Sequence, residues 1–330
     1  GYYCRSDRER WGRAGDYRTS PERSSLFSVT FAHYFARLYN DLGRPRSWTI
    51  CEAGGGAGHF AETVLQTFQE QHPQIFAATR YVFDDASATS RSLASKRLER
   101  FGQQFEVRRL EELKPLEPGI VFSNELLDSF PVHRLILKSG ELNEFYVGLS
   151  EDESFAWLLK KPSKEGLARY VAGYDGELVE EQIVEVNLDM LDWIESVSQK
   201  IRSGYLVTVD YGAEAGELFG AIERRGGTLR AFHRHMLNDD VLARPGEQDL
   251  TTTVDWTLMK GAGAANGFEV VEFERLDKFL LKVGLLEQVE FIVNQTNLES
   301  EKLRLRSQAR EMVLPGGMAE SFQVLVQRRN

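Results

Sequence analysis

Trp48-Thr-Ile-Cys-Glu-Ala-Gly-Gly-Gly-Ala-Gly-His-Phe60 sets an acid, Glu52, and three glycines spaced by two, Gly54, Gly56 and Gly58, at the end of a short apolar run. An amphipathic segment follows, with Phe60, Val64, Leu65 and Phe68 at helical spacing and Pro73 just beyond. That order predicts a bare-backbone turn between a strand end and a helix start, where a nucleotide-like ligand can lie. Three further polar groups follow short apolar runs: Asp84-Asp85 after Tyr81–Phe83, Asn124-Glu125 after Ile120–Phe122, and Asp210-Tyr211 after Tyr205–Val209. In parallel sheets ligands bind beyond the carboxyl ends of the strands, so these groups are expected to meet in one crevice.

The glycine spacing is Gly-x-Gly-x-Gly. Counted from Gly54, the third position of a dinucleotide fingerprint is His59, too large for the role; counted from Gly56 it is Ala61, which the looser fingerprint accepts. Spacing alone therefore leaves a dinucleotide open, whereas no P-loop lysine follows. A pyrophosphate needs open N–H groups and a helix dipole. Carboxylates around the turn instead suit a cationic ligand, one with a sulfonium and an ammonium group, which points to S-adenosylmethionine. On this reading Glu52, Gly54, Gly56 and Gly58 face the cofactor and Asp85 takes the ribose hydroxyls.

These groups need a scaffold. Apolar runs at 48–53, 81–83, 105–107, 120–122 and 205–209 alternate with helical segments, one of them capped by Ser87 and another by Asn187. This predicts an α/β fold with a parallel sheet covered by helices on both faces. Closing strands are expected at about 268–273 and 322–327. An insertion at 133–182 starts with a hairpin turning at Lys138-Ser-Gly140, and an accessory segment occupies 228–266. Gly204 is expected to end the helix that Asn187 starts. The whole chain is expected to form a single methyltransferase-type domain.

Bulk properties narrow the partners. The 330 residues are 42% hydrophobic with a formal net charge of -10. That charge argues against binding nucleic acid through phosphate contacts and favours a basic protein segment. Two cysteines, Cys4 and Cys51, make no disulfide framework, and Cys51 reads as a buried thiol. The most apolar stretch, Phe279–Val293, is interrupted by Lys282, Glu287 and Glu290, so it reads as core-facing helix rather than a membrane span. No signal or transit peptide is visible at Gly1. His233 and His235 lack further ligands at metal spacing, so no metal is expected.

The motifs in order resemble the MidA-type methyltransferases, a family that includes a mitochondrial assembly factor for respiratory complex I. Gly15-Asp-Tyr-Arg-Thr-Ser-Pro-Glu22 is similar to its Gly-Asp-Phe-x-Thr-Ser-Pro-Glu block, and Ser123-Asn-Glu-Leu-Leu-Asp-Ser-Phe-Pro131 to its Ala-Asn-Glu-Phe-Phe-Asp-Ala-Leu-Pro block. Val209-Asp-Tyr-Gly212, Gly227-Thr-Leu-Arg230, Asp249-Leu-Thr251 and Met318-x-Glu-x-Phe322 resemble further blocks. The chain departs in having Asp84-Asp85 where the family usually carries Glu. The resemblance implies a class I, Rossmann-like, seven-stranded fold, S-adenosyl-L-methionine as cofactor with Thr19 near it, and arginine methylation of a complex I subunit in mitochondrial members. A protein of this kind would work in the cytoplasm of a bacterium or the mitochondrial matrix of a eukaryote.

An arginine acceptor stays protonated in proteins, so it needs carboxylates that hold two N–H groups and bias charge away from the reacting nitrogen. Asn124, Glu125 and Asp128 are the candidates. The same loop lacks the Asn-Pro-Pro-Tyr of base-methylating enzymes. Two other functions remain: a small-molecule methyltransferase, with the insertion as a lid over a closed pocket, or an assembly factor that binds a partner and needs no turnover.

Overall fold

The computed structural model describes residues 2–5, 24–173, 178–233, 236–238, 240–314 and 316–330. Thr19 and its motif, Arg234 and His235 lie outside them.

Helix α1, Ser25–Asp41, starts where the Ser24 hydroxyl accepts from the Leu26 N–H, and most of its length is buried. Strand β1, Trp48–Ala53, is buried at all six positions. After the glycines come α2, His59–Gln71, and α3, Pro73–Ala78, where Pro73 fills a first-turn position that needs no N–H. Next are β2, Thr79–Asp84; α4, Ala88–Leu98, capped by Ser87; β3, Phe105–Val107; and β4, Gly119–Asn124. A second sheet then opens with β5, His133–Lys138, β6, Glu141–Leu149, and β7, Phe155–Lys160, followed by α5, Glu165–Ala172, and β8, Ile183–Val186. The chain returns through α6, Leu188–Lys200, to β9, Gly204–Ala213, and α7, Ala215–Gly220. A third small sheet holds β10, Arg230–His233, β11, Met236–Asn238, and β12, Asp249–Thr251. Then follow β13, Val254–Asp255, α8, Trp256–Ala265, and β14, Glu269–Arg275. Helices α9, Leu276–Val283, α10, Leu285–Gln295, and α11, Glu299–Val313, lead to β15, Phe322–Arg329.

The main sheet runs β14-β15-β9-β4-β1-β2-β3, with β13 alongside the end of β9. The strands from β3 to β9 are parallel, and β15 and β14 close the edge antiparallel. Side chains alternate between two buried faces. Ile50, Tyr81, Phe83, Ile120, Phe122 and Val207 pack with α1, α2 and the C-terminal helices. Cys51, Val82, Val121 and Leu206 pack with α6 and α8. This is the expected doubly covered α/β sheet. No described helix is long and apolar enough to cross a membrane.

Two details correct the sequence reading. Gly204 does not end α6; that helix stops at Lys200, and Gly204 opens β9 at φ 142. A Cβ there would lie 1.8 Å from the Gly119 carbonyl oxygen, so the glycine is required by the close approach of two strand starts. The small sheet also runs past the expected boundary at 182, because Ile183–Val186 pairs antiparallel with β5 and closes over Leu167 of α5. Of the apolar residues on and just after α4, Leu93 is 41% exposed, while Leu98 and Phe101 are buried. The hairpin at 138–141 turns as expected: Ser139 and Gly140 both have positive φ, the geometry that fits the twist of two antiparallel strands.

Candidate active site

Register places the carboxyl ends of the parallel strands side by side. Ala53 of β1 is opposite Asp84 of β2 and Ser123 of β4, and Asn124 is opposite Val209 of β9. The glycine turn rises from this edge. Gly54, Gly56 and Gly58 take φ of 73, 59 and 79, a region that other residues enter only at a cost. The Gly54 N–H donates to the Asp84 carbonyl at 2.8 Å, and the Gly56 N–H to Asp85 Oδ2 at 3.0 Å. Asp85 Oδ1 accepts the Ser87 N–H at 2.7 Å, so one carboxylate joins the turn to the start of α4. From the other side Leu126 covers the turn: a Cβ on Gly54 would lie 2.8 Å from Leu126 Cδ1, and one on Gly55 2.2 Å from the Phe83 ring. The turn is therefore a bare-backbone shelf between the ends of β2 and β4.

Three carboxyl groups surround the shelf. Glu52 is 4% exposed and accepts the Tyr81 hydroxyl at 2.8 Å. Burial pushes its carboxyl up to about 8, with Asp85 adding to the rise and the Tyr81 hydroxyl opposing it. Asp84, the last residue of β2, pairs with the Arg109 guanidinium at 2.7 Å. Burial outweighs that pairing and raises Asp84 to about 6. Asp85 lies one residue beyond the strand. Sequence reasoning named Glu52 and Asp85 but missed Tyr81 and Arg109, which hold the two buried acids. Sequence reasoning gave Glu52, Gly54, Gly56, Gly58 and Asp85 to S-adenosylmethionine, and the structure brings these residues together at one edge of the sheet.

The loop after β4 carries the other candidates. Glu125 has φ 51, an uncommon conformation for a non-glycine residue, and its N–H donates to the Val209 carbonyl at 3.0 Å. Asn124 Nδ2 donates to Glu125 Oε1 at 3.0 Å, which orients the carboxylate. Asp128 is buried, and its Oδ2 accepts the Tyr211 hydroxyl at 2.6 Å. Burial pushes Asp128 up, against the pull of Tyr211 and the Arg230 charge.

The turn at Leu127–Ser129 is capped by Asp210, from β9. Asp210 Oδ2 accepts the N–H groups of Leu126, Leu127 and Asp128 at 3.2, 2.9 and 3.4 Å. Its Oδ1 accepts the Tyr211 N–H at 2.9 Å. Burial and the neighbouring charges of Asp128 and Glu125 push the Asp210 carboxyl well up. The structure thus brings Asn124, Glu125 and Asp128 onto one loop beside the glycine shelf, held by Asp210 from β9. Arg230 and the Thr251–Thr252 region were legible only as motif blocks with no role. The Thr252 N–H donates to the Asp128 carbonyl at 3.0 Å, and Arg230 lies 5.3 Å from the Tyr211 ring centroid. His233 Nδ1 lies 3.1 Å from the Glu247 carbonyl oxygen, an exposed contact within the accessory segment.

Residues 30–274 match the model of a family described as "Putative S-adenosyl-L-methionine-dependent methyltransferase". The chain is 26% identical over 294 residues to the mitochondrial protein arginine methyltransferase NDUFAF7 homolog of Drosophila melanogaster, covering 81% of this chain and 64% of that protein, somewhat under two thirds of its length. It is 24% identical over 353 residues to mitochondrial protein arginine methyltransferase NDUFAF7 of Mus musculus, covering 98% of this chain and 76% of that protein. Among solved structures it is similar to a COG1565 superfamily member from Burkholderia thailandensis bound to S-adenosyl-homocysteine. That fold superimposes with a TM-score of 0.84 at 22% identity, over 97% of this chain and 81% of that one. The family match covers the glycine turn, the loop after β4 and the accessory strands alike, and the chain belongs to the S-adenosyl-L-methionine-dependent methyltransferase family.

Proposed function

We propose that the protein transfers the methyl group of S-adenosylmethionine to an arginine side chain of a protein partner. The observation that carries this reading is Glu125: an acid held at positive φ at the end of β4, oriented by Asn124, beside the glycine shelf. The relatives' names, protein arginine methyltransferases, support it.

The cofactor supplies an electrophilic methyl carbon on a sulfonium. The chain's own residues do the rest. Gly54, Gly56 and Gly58 let the cofactor lie against the backbone, Asp85 and the buried acid Glu52, which ionises near 8, face its hydroxyl and cationic groups, and Thr19 is assigned to its neighbourhood through its motif. Glu125 takes two guanidinium N–H groups as a bidentate pair and draws positive charge toward itself, leaving the third nitrogen more nucleophilic. As the methyl group leaves S-adenosyl-homocysteine behind, Glu125 takes a proton from one of the N–H groups it holds, so the methylated guanidinium keeps a single positive charge. Fixing that nitrogen about 3 Å from the methyl carbon is the larger part of the work, since positioning alone supplies several kcal/mol. Asp128 acts from behind, within the loop.

A protein acceptor is favoured over a small molecule by the insertion. The face of its sheet away from α5 leaves Val147, Leu149 and Phe155 about half exposed, an apolar surface suited to a partner. By analogy with the mitochondrial relatives, that partner would be a subunit of respiratory complex I, met in the matrix of a eukaryote or the cytoplasm of a bacterium. The test is mass spectrometry of arginine methylation across the proteome with and without the gene. Loss of specific methyl-arginine sites supports the reading; an unchanged arginine methylome with an altered methylated metabolite favours the small-molecule alternative and overturns it.

A further inference from the structure

We propose that Arg230, on accessory strand β10, is a positioning residue for methyl transfer: through its charge and its contact with the Tyr211 ring it steadies the Asp128 carboxylate and so fixes the loop that presents Glu125. This rests on the reading of Glu125 as the acceptor-side carboxylate.

Three elements meet at Asp128. Tyr211, on β9, donates its hydroxyl to Asp128 Oδ2 at 2.6 Å. The Arg230 guanidinium carbon lies 5.3 Å from the Tyr211 ring centroid, a cation–π distance, which sets the ring's orientation as well as adding charge. Strand β12 pairs with β10, Thr251 opposite Arg230, and the next residue, Thr252, grips the Asp128 carbonyl through its N–H at 3.0 Å. Among the described residues Asp128 Oδ1 and Arg230 Nε are both buried without a hydrogen-bond partner. Arg230 therefore acts on Asp128 through its charge and through the Tyr211 ring, with no direct bond between them.

The charged and titratable groups that act on this acid are Tyr211 and Asp210 from β9 and Arg230 from β10, with Glu125 acting on Asp210. Asp210 repels it, and Arg230 is the cation that offsets the repulsion. Without Arg230, Asp128 holds its proton to higher pH, and a protonated Asp128 competes for the Tyr211 hydroxyl instead of simply accepting from it.

The test compares Arg230→Met, Arg230→Lys and Tyr211→Phe with the wild type. S-adenosyl-homocysteine affinity is measured by calorimetry and methyl transfer to protein across pH 5–9. Expected for Arg230→Met and Tyr211→Phe are unchanged affinity, kcat lower by about 10- to 100-fold, and an acid limb of kcat moved up by about one pH unit. Arg230→Lys restores the limb. A limb that stays put, or a kcat loss matched by lost cofactor affinity, overturns the proposal. If the wild type methylates no protein although it binds the cofactor product, the functional reading fails, and carbon NMR of the Asp128 carboxyl still decides this point. A higher titration midpoint in Arg230→Met upholds the role, and an unchanged one rejects it.

Discussion

Glu52→Gln separates what the site needs from what the fold prefers. Glu52 is 4% exposed and its carboxyl is raised from 4.5 to about 8 by burial. The unfolded chain releases this proton near 4.5 and the folded protein keeps it to about 8, so between those values the folded state binds more protons. Its contribution to stability is therefore fully present below pH 4.5 and is lost as pH rises through 8. At ~1.4 kcal/mol per pH unit across that window, the loss is on the order of 4–5 kcal/mol at pH 8. Glutamine cannot ionise and still accepts the Tyr81 hydroxyl, now 2.8 Å from Oε2. The variant should match the wild type near pH 4.5 and exceed it at pH 8. With an unfolding entropy of ~2 cal/mol/K per residue, that gap raises the midpoint temperature by roughly 6 °C. Asp84, raised to about 6, titrates in both proteins and cancels in the comparison. The same variant should bind S-adenosylmethionine about tenfold more weakly at pH 9, where Glu52 is ionised, because a neutral amide then replaces a carboxylate opposite a cationic ligand. Thermal denaturation at pH 5 and pH 8, with calorimetric titration of the cofactor at about pH 9, reads both effects. A variant less stable than the wild type at pH 8, or a stability gap that does not change with pH, would refute the reasoning.

Gly54→Ala places a Cβ 2.8 Å from Leu126 Cδ1 at a φ of 73, which should cost about 1–2 kcal/mol in denaturant unfolding and weaken cofactor binding by at least tenfold. Unchanged affinity would remove the turn from the cofactor site. Asp210→Asn presents an amide where four backbone N–H groups converge; the expected loss is about 2–3 kcal/mol, read by urea unfolding, with faster hydrogen exchange at Leu126–Asp128. Glu125→Gln should leave S-adenosyl-homocysteine affinity within about twofold and lower methyl transfer by about 100-fold or more, checked by calorimetry beside a labelled-methyl assay.

The sheet was legible because its strands are buried on both faces and read as short apolar runs; Trp48–Ala53 is buried at every position. Caps were legible because each is a local contact: Ser87 to Ser90 and Asn187 to Met190. Gly204 was misread because a glycine that ends a helix and one that lets two strands start close together look alike in sequence. Ile183–Val186 was absorbed into the core because a four-residue strand beside polar Gln182 carries no signal of which sheet it joins. At the site, Glu52, the glycines and Asn124-Glu125 are strand-end residues and could be placed by counting. Asp210-Tyr211 could be placed at a strand end too, but its hydrogen bonds to the loop at 124–129 could not, nor could the reach of Arg109 to Asp84 or of Arg230 to the Tyr211 ring, from segments that only the folded topology brings near.

Incubation of the protein with labelled S-adenosylmethionine and a protein extract, followed by identification of the labelled amino acid, tests the central claim most directly. The account predicts label on arginine side-chain nitrogens with the wild type, and none with Glu125→Gln although that variant binds S-adenosyl-homocysteine. Label on any other atom, or equal labelling by the two proteins, would contradict it.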